Sequence, residues 1–170
     1  MSTQMMTLIV SVGLILTGCN RQNRPASVAE IGSRMTTLIN QHHFNEAAQL
    51  GIGAATGNRS DAALYYFVSL AYAERAHYEP DTRDDALRLV TEYTGKSIAL
   101  DQDNHANRLN VAWVLEYAGD ADSSVRCKYE DSQKLLNQLS ADAATDAKLK
   151  GHIGENISRV SQKMNAAHCE

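Results

Sequence analysis

Residues 61–120 carry an apolar pattern typical of packed α-helices, and this pattern constrains the fold more than any other feature of the chain. Apolar side chains recur there at intervals of three and four residues, which is the period of a helix that buries one face. They are Leu64, Val68, Ala71 and Tyr72 in the first segment, and Leu109, Ala112 and Trp113 in the last. Between these segments, residues 99–104 end one helix and start another at Asn104. We therefore predict a helical hairpin followed by the first helix of a second hairpin.

The composition favours an all-α fold for the whole chain. Among 170 residues there are only two prolines, 6% are aromatic, and no alternating run of Val, Ile or Thr predicts a strand. Residues 28–170 are enough for one domain with a hydrophobic core. The formal net charge is −4, with acids and bases interspersed, so the sequence has no basic footprint for binding nucleic acid.

Local signals predict the limits of the helices. Two capping-box patterns, Ser27 with Glu30 and Thr82 with Asp85, mark the starts of the first and fourth helices. The predicted helices cover residues 28–40, 44–56, 61–76, 82–100, 104–118, 121–139 and 145–166. The buried faces should contain Ile31, Met35 and Leu38 in the first helix, and Leu149, Ile153, Ile157, Val160 and Met164 in the last.

The N-terminal stretch is typical of an exported, lipid-anchored protein. Its apolar run, residues 5–16, has 12 residues, whereas a bilayer-spanning helix needs about 20, so its length suits a signal peptide. The sequence Leu16-Thr17-Gly18-Cys19 that follows resembles the lipobox of bacterial lipoproteins. The alternative is a buried N-terminal helix in which the cysteine stands at this place by chance.

The lipobox resemblance implies how the chain would be processed and located. Residues 1–18 would be removed, and the new N-terminal residue, Cys19, would carry diacylglycerol and palmitate-type acyl chains. Residues 19–27 would form a flexible, lipidated tether. In this class of protein an aspartate after the cysteine retains the chain in the inner membrane. Asn20 stands there instead, which favours the outer membrane, facing the periplasm.

The helical segments resemble degenerate tetratricopeptide repeats over residues 28–139. The matching residues are Phe44-Asn45-Glu46-Ala47 at a second-helix start, Tyr65, Val68, Ser69 and Tyr72 in the next first helix, Ala99-Leu100-Asp101-Gln102-Asp103-Asn104 at a repeat end, and Val111, Ala112, Leu115, Gly119 and Asp120 in the third unit. The third hairpin should turn at Gly119 and Asp120. The resemblance implies a solenoid of about three helix hairpins with a C-terminal capping helix. Generic helix-hairpin packing is the alternative.

In such repeats the first helix of each hairpin lines a concave groove that binds a protein. Carried over to this chain, the groove residues are Tyr66, Leu70, Glu74, Leu109, Trp113, Glu116 and Tyr117. The resemblance implies an envelope scaffold or assembly factor, pilotin-like or accessory to outer-membrane or cell-wall machinery, with an unknown protein partner. The first alternative is that Trp113 is a core side chain, covered by the last helix. The second is a structural or stress-related lipoprotein without a dedicated groove.

The sequence offers little support for catalysis, a metal or a cofactor. It contains no HExxH, paired CxxC, GxSxG, SxxK or glycine-rich phosphate loop. His43 with Glu46 and His152 with Glu155 are spaced to share a helix face, but a metal site needs three or four ligands. We therefore expect a non-enzymatic protein.

Three cysteines are present. If Cys19 is lipidated, Cys127 and Cys169 are the remaining pair, and an oxidising envelope compartment permits a disulfide between them. The bond requires either a helix break at Gly151 or Gly154, or a tail that folds back. Free thiols are the alternative.

Overall fold

The computed structural model describes residues 25–57, 61–121, 126–142 and 144–166, without the side chains of residues 126 and 127. The regular secondary structure in these ranges is entirely helical. The described α-helices are α1 (Val28–Asn40), α2 (Phe44–Thr56), α3 (Ala62–Tyr78), α4 (Arg83–Leu100), α5 (His105–Ala121), α6 (Arg126–Ala141) and α7 (Ala147–Ala166). The all-α prediction is therefore confirmed for the described part of the chain.

Local sequence signals account for several helix starts. Ser27 Oγ accepts a hydrogen bond from the backbone N–H of Glu30 (3.2 Å), and Glu30 Oε2 accepts one from that of Ser27 (2.6 Å), which confirms the first capping box. Asn104 Oδ1 accepts from the backbone N–H of Asn107 at 3.0 Å and so caps α5. The predicted tether is wrong at its last residues, because Ala26 packs against the core and Ser27 belongs to the α1 cap.

The second predicted capping box is wrong, although α4 begins where it was expected. A single 3-10 turn, Pro80–Thr82, precedes α4 and places Thr82 in a non-extended conformation. Thr82 Oγ1 donates to Glu79 Oε2 at 3.1 Å and makes no cap bond to α4. The hydroxyl of Thr82 is therefore bonded to Glu79, before the 3-10 turn, and does not cap α4 as the sequence pattern predicted.

The helices pack in chain order around one continuous core. Each helix contacts the next, and in addition α1 contacts α3 and α3 contacts α5. The odd-numbered helices α1, α3 and α5 therefore lie side by side. On α7, Ile153 and Val160 are buried, and Leu149, Ile157 and Met164 are half-buried against the core, which confirms the predicted apolar face. On α1, Ile31 and Met35 are buried as predicted, with Ile39 in place of the half-buried Leu38.

The turn predicted at Gly119 and Asp120 is wrong, because α5 continues through both residues to Ala121. Gly119 serves close packing instead. A Cβ atom on it would lie 2.8 Å from Cε1 of Tyr129 on α6. Tyr129 is buried and its hydroxyl donates to Asp120 Oδ1 at 2.7 Å, so the ring is held directly over Gly119.

The structure excludes one of the two routes to the predicted disulfide. α7 is continuous through Gly151 and Gly154, so the route that requires a helix break at one of these glycines is excluded, and the alternative of a tail that folds back remains. Gln133 Nε2 donates to Ser161 Oγ across the α6–α7 hairpin at 2.7 Å. Cys19 and Cys169 lie outside the described residues, so lipidation and the disulfide both stay predictions.

Within the described ranges, no helix combines the length and the apolar character needed to cross a membrane.

Candidate functional site

The predicted groove residues form two neighbouring rows on α3 and α5. Residues four apart lie above one another on a helix, so Tyr66, Leu70 and Glu74 share one face of α3. The same spacing aligns Leu109, Trp113 and Tyr117 on α5, and the two helices pack against each other. Five of the six side chains are half-buried, whereas Trp113 is 44% exposed. We call this set, together with His77, the aromatic face.

Three rings of the aromatic face form a stack that crosses from α3 to α5. The centroids of His77 and Tyr117 lie 4.2 Å apart with planes 23° from parallel. Those of Tyr117 and Trp113 lie 5.5 Å apart with planes 1° from parallel. Trp113 is the outer ring of this stack and one of the large apolar side chains that remain exposed. The alternative in which Trp113 is a core residue covered by the last helix is therefore wrong.

Two hydrogen bonds between α3 and α5 hold the stack in place. His77 Nε2 donates to the backbone carbonyl oxygen of Tyr117 at 2.8 Å, which requires a proton on Nε2. The Tyr117 hydroxyl donates to Glu74 Oε2 at 3.0 Å. Burial, together with the hydrogen bond to Glu74, raises the pKa of Tyr117 above its ordinary value, so this hydroxyl stays a donor at neutral pH. Ring contacts and hydrogen bonds therefore both restrain His77 and Tyr117, and Trp113 packs on Tyr117 through its ring.

Glu74 and Glu116 differ sharply in their surroundings. Glu74 is half-buried, and among the described residues no cationic group lies within ion-pair distance of its carboxylate. Glu116 is only 3% exposed and is bound by two cations of α7. Arg159 makes two bonds of 2.7 Å to its two carboxylate oxygens, and Lys163 approaches to 2.9 Å.

These contacts assign Glu116 to the interior of the chain. Burial alone would raise the pKa of Glu116, but the hydrogen bonds from Arg159 and Lys163 outweigh it, so the pKa lies below its ordinary value. Lys163 also contacts Asp120 Oδ2 at 2.6 Å, which extends the link between α5 and α7. The carboxylate of Glu116 is thus satisfied within the chain. Glu116 was predicted to line the partner-binding groove, but the structure buries its carboxylate against α7.

His77 belongs to the aromatic face but was not among the predicted residues. The sequence signals placed the end of the third helix at residue 76, with a loop from 77 to 81. The structure extends α3 to Tyr78, so His77 lies three residues beyond Glu74 on the same helix face. The signal that could have found it is the length of the helix, because two more residues, to Tyr78, place His77 on this face, where its ring stacks on Tyr117.

A second aromatic group lies around Tyr78, at the same C-terminal end of α3 as His77. Tyr78 is 59% exposed and stacks on Phe44 with centroids 5.7 Å apart, and His42 packs edge-on against both rings. His42 has a φ of 60°, which is the left-handed conformation that closes the α1–α2 turn. Its position follows from this turn and not from a ligand site. In the described part of the chain, no group of three or more His, Cys, Asp or Glu side chains is placed to hold a metal ion.

Comparison with known proteins identifies no relative, since no family model, curated protein or solved structure matches the chain.

Proposed function

We propose that this chain is a lipid-anchored envelope protein that binds a protein partner through its aromatic face. The observation that carries the proposal is Trp113, which is 44% exposed and stacks on Tyr117 at the outer end of a three-ring stack. Tryptophan and tyrosine bury large areas at little cost in side-chain entropy and dominate many protein interfaces. An exposed tryptophan that packs on a hydrogen-bonded tyrosine ring is therefore suited to a partner. The proposal assigns the chain no catalytic role.

The proposal includes a repeat architecture of the tetratricopeptide type. Its support is the order of packing, in which α1, α3 and α5 lie side by side and each pairs with the helix that follows it. Such an order places the first helices of successive hairpins on one surface. In this architecture α7 is the capping helix, joined to α5 through Glu116. The groove is then the surface shared by α3 and α5.

The anchor is proposed from Leu16-Thr17-Gly18-Cys19, which supports acylation at Cys19. Two or more acyl chains anchor a protein stably, whereas one chain is marginal at about 0.8 kcal/mol per buried CH₂. With Asn20 after the cysteine, we place the protein at the outer membrane, facing the periplasm. A role as an assembly factor, pilotin-like or accessory to envelope machinery, follows from this location.

Site-specific photo-crosslinking in the native cell tests the proposal. A benzoylphenylalanine at position 113 should crosslink to one defined protein. The matched control is position 100, because Leu100 is also an exposed apolar residue, at 46%, but ends α4 and lies outside the aromatic face. Equal crosslinking at the two positions would contradict a dedicated groove and favour a structural envelope protein without one.

A further inference from the structure

Glu74 is the acidic residue of the aromatic face, and among the described residues no cation lies within ion-pair distance of it. The Glu74 carboxylate is half-buried and receives one hydrogen bond, from the Tyr117 hydroxyl at 3.0 Å. No described Lys, Arg or His lies within ion-pair distance of it, whereas the buried Glu116 on the neighbouring helix has two such partners. Partly desolvated charges are normally paired, because burial weakens their hydration. An incoming cation could supply the missing partner.

The rings beside Glu74 are also suited to a cation. Tryptophan is the best cation–π acceptor among the side chains, and Trp113 is 44% exposed. The Tyr117 ring lies parallel to it and donates its hydroxyl proton toward a carboxylate, which makes this ring more electron-rich. Tyr117 therefore contacts both groups: its ring stacks on Trp113, and its hydroxyl is hydrogen-bonded to Glu74.

We propose that the aromatic face recognises an arginine-bearing segment of its protein partner, with the guanidinium stacked on Trp113 and its charge directed toward Glu74. Arginine fits better than lysine, because a planar guanidinium can lie parallel to a ring and still donate hydrogen bonds at its edge. The net charge of −4 favours approach of a basic segment. This inference rests on the proposed function, since it names the chemistry of the partner for the same surface.

Fluorescence titration of the full-length protein tests the inference. Trp113 is the only tryptophan in the chain, so selective excitation reports this face alone. The probe is an acetylated and amidated nonapeptide with three arginines separated by Gly-Ser. Its control carries citrulline, the neutral isostere, at the same positions. The arginine peptide should change the Trp113 emission saturably and bind about tenfold more tightly than the citrulline peptide.

A matched pair of charge variants separates local recognition from general attraction. Glu74→Gln should weaken arginine-peptide binding about three- to tenfold and leave citrulline-peptide binding unchanged. Glu155→Gln removes the same formal charge from a side chain that is 80% exposed on α7, and it should have no effect.

Several results would overturn the inference. They are equal binding of the arginine and citrulline peptides, equal weakening by the two variants, or a response to a neutral aromatic peptide or an oligosaccharide but not to the arginine peptide. Crosslinking at position 113 separates this failure from failure of the proposed function. If that crosslink persists, the partner-binding proposal stands and only its arginine chemistry is wrong.

Discussion

A single methyl group added at Gly119 should destabilise the protein, although it would stabilise an isolated helix. In a helix interior, Gly→Ala is favourable by about 0.5–1 kcal/mol, because glycine loses more backbone entropy on folding. At Gly119 the new Cβ would lie 2.8 Å from Cε1 and 2.9 Å from Cδ1 of Tyr129. That ring is buried and tied to Asp120, so it cannot move without breaking a hydrogen bond.

The two effects have opposite signs, and their magnitudes decide the outcome. Overpacking a well-packed interior costs about 1–3 kcal/mol. Subtracting the gain in helix propensity leaves a net loss of about 1.3 kcal/mol in the free energy of unfolding for Gly119→Ala at the centre of these ranges, and of up to about 2.5 kcal/mol. For a domain of this size, the central loss corresponds to a fall in Tm of roughly 3–5 °C.

Urea unfolding followed by circular dichroism measures the change, and Gly95→Ala is the matched control. Gly95 lies inside α4, and a Cβ there would meet no atom within 4 Å. Gly95→Ala should therefore raise the free energy of unfolding by about 0.5–1 kcal/mol. A Gly119→Ala variant as stable as Gly95→Ala would refute the packing argument.

A double-mutant cycle identifies the ring of Tyr129 as the cause. If the clash with Tyr129 carries the cost, Gly119→Ala should be nearly neutral or stabilising in a Tyr129→Leu background, which lacks the aromatic ring. The same loss in both backgrounds would show that α5 itself rejects the methyl group.

Four further predictions concern the caps, charges and cysteines. Ser27→Ala removes the side-chain acceptor of the α1 capping box and should lower the free energy of unfolding by about 1 kcal/mol, measured in urea. Glu116→Gln should lower it by about 1.5–3 kcal/mol, since charged hydrogen bonds to α7 are lost while the α7 cations still reach water. Because the folded pKa of Glu116 is lowered, its contribution is complete above the unfolded value of about 4.3 and is lost as the pH falls through the folded pKa. The urea midpoint should then fall less steeply with acidification in the variant than in the wild type; equal slopes would contradict the assignment. A Cys127–Cys169 disulfide would close a loop of about 43 residues and stabilise by about 3–4 kcal/mol, and thiol titration of the denatured, non-reduced protein should find no free thiol. Cys19→Ser should abolish lipid labelling and leave the precursor uncleaved, and labelling that persists would exclude the anchor.

Short-range patterns in the sequence were sufficient to predict the helices. The apolar period that includes Leu64 and Val68, and the caps at Ser27 and Asn104, involve residues within a few positions of one another. Their energies act locally, so they predict helix type and most helix starts without knowledge of the fold. The rows of the aromatic face follow from the same helical spacing.

Only the tertiary structure decided which members of those rows remain available to a partner. From the sequence, Glu74 and Glu116 could not be distinguished, because both were predicted to line the groove. Glu116 forms a salt bridge with Arg159 on α7, which is 43 positions away in the sequence. Glu74 accepts a hydrogen bond from the hydroxyl of Tyr117, also 43 positions away, and has no cationic partner among the described residues. No local pattern encodes such contacts, because they depend on how the helices pack.

The same reason explains the misplaced turn and the missed histidine. Glycine is common where helices end, so Gly119 predicted a turn. It lies inside α5 because the ring of Tyr129 occupies the space of its missing side chain. His77 was expected in a loop, but its stacking and hydrogen bond with Tyr117 accompany an extension of α3 by two residues, to Tyr78. The sequence by itself thus determined where helices form, and packing between helices determined where they stop and which side chains face outward.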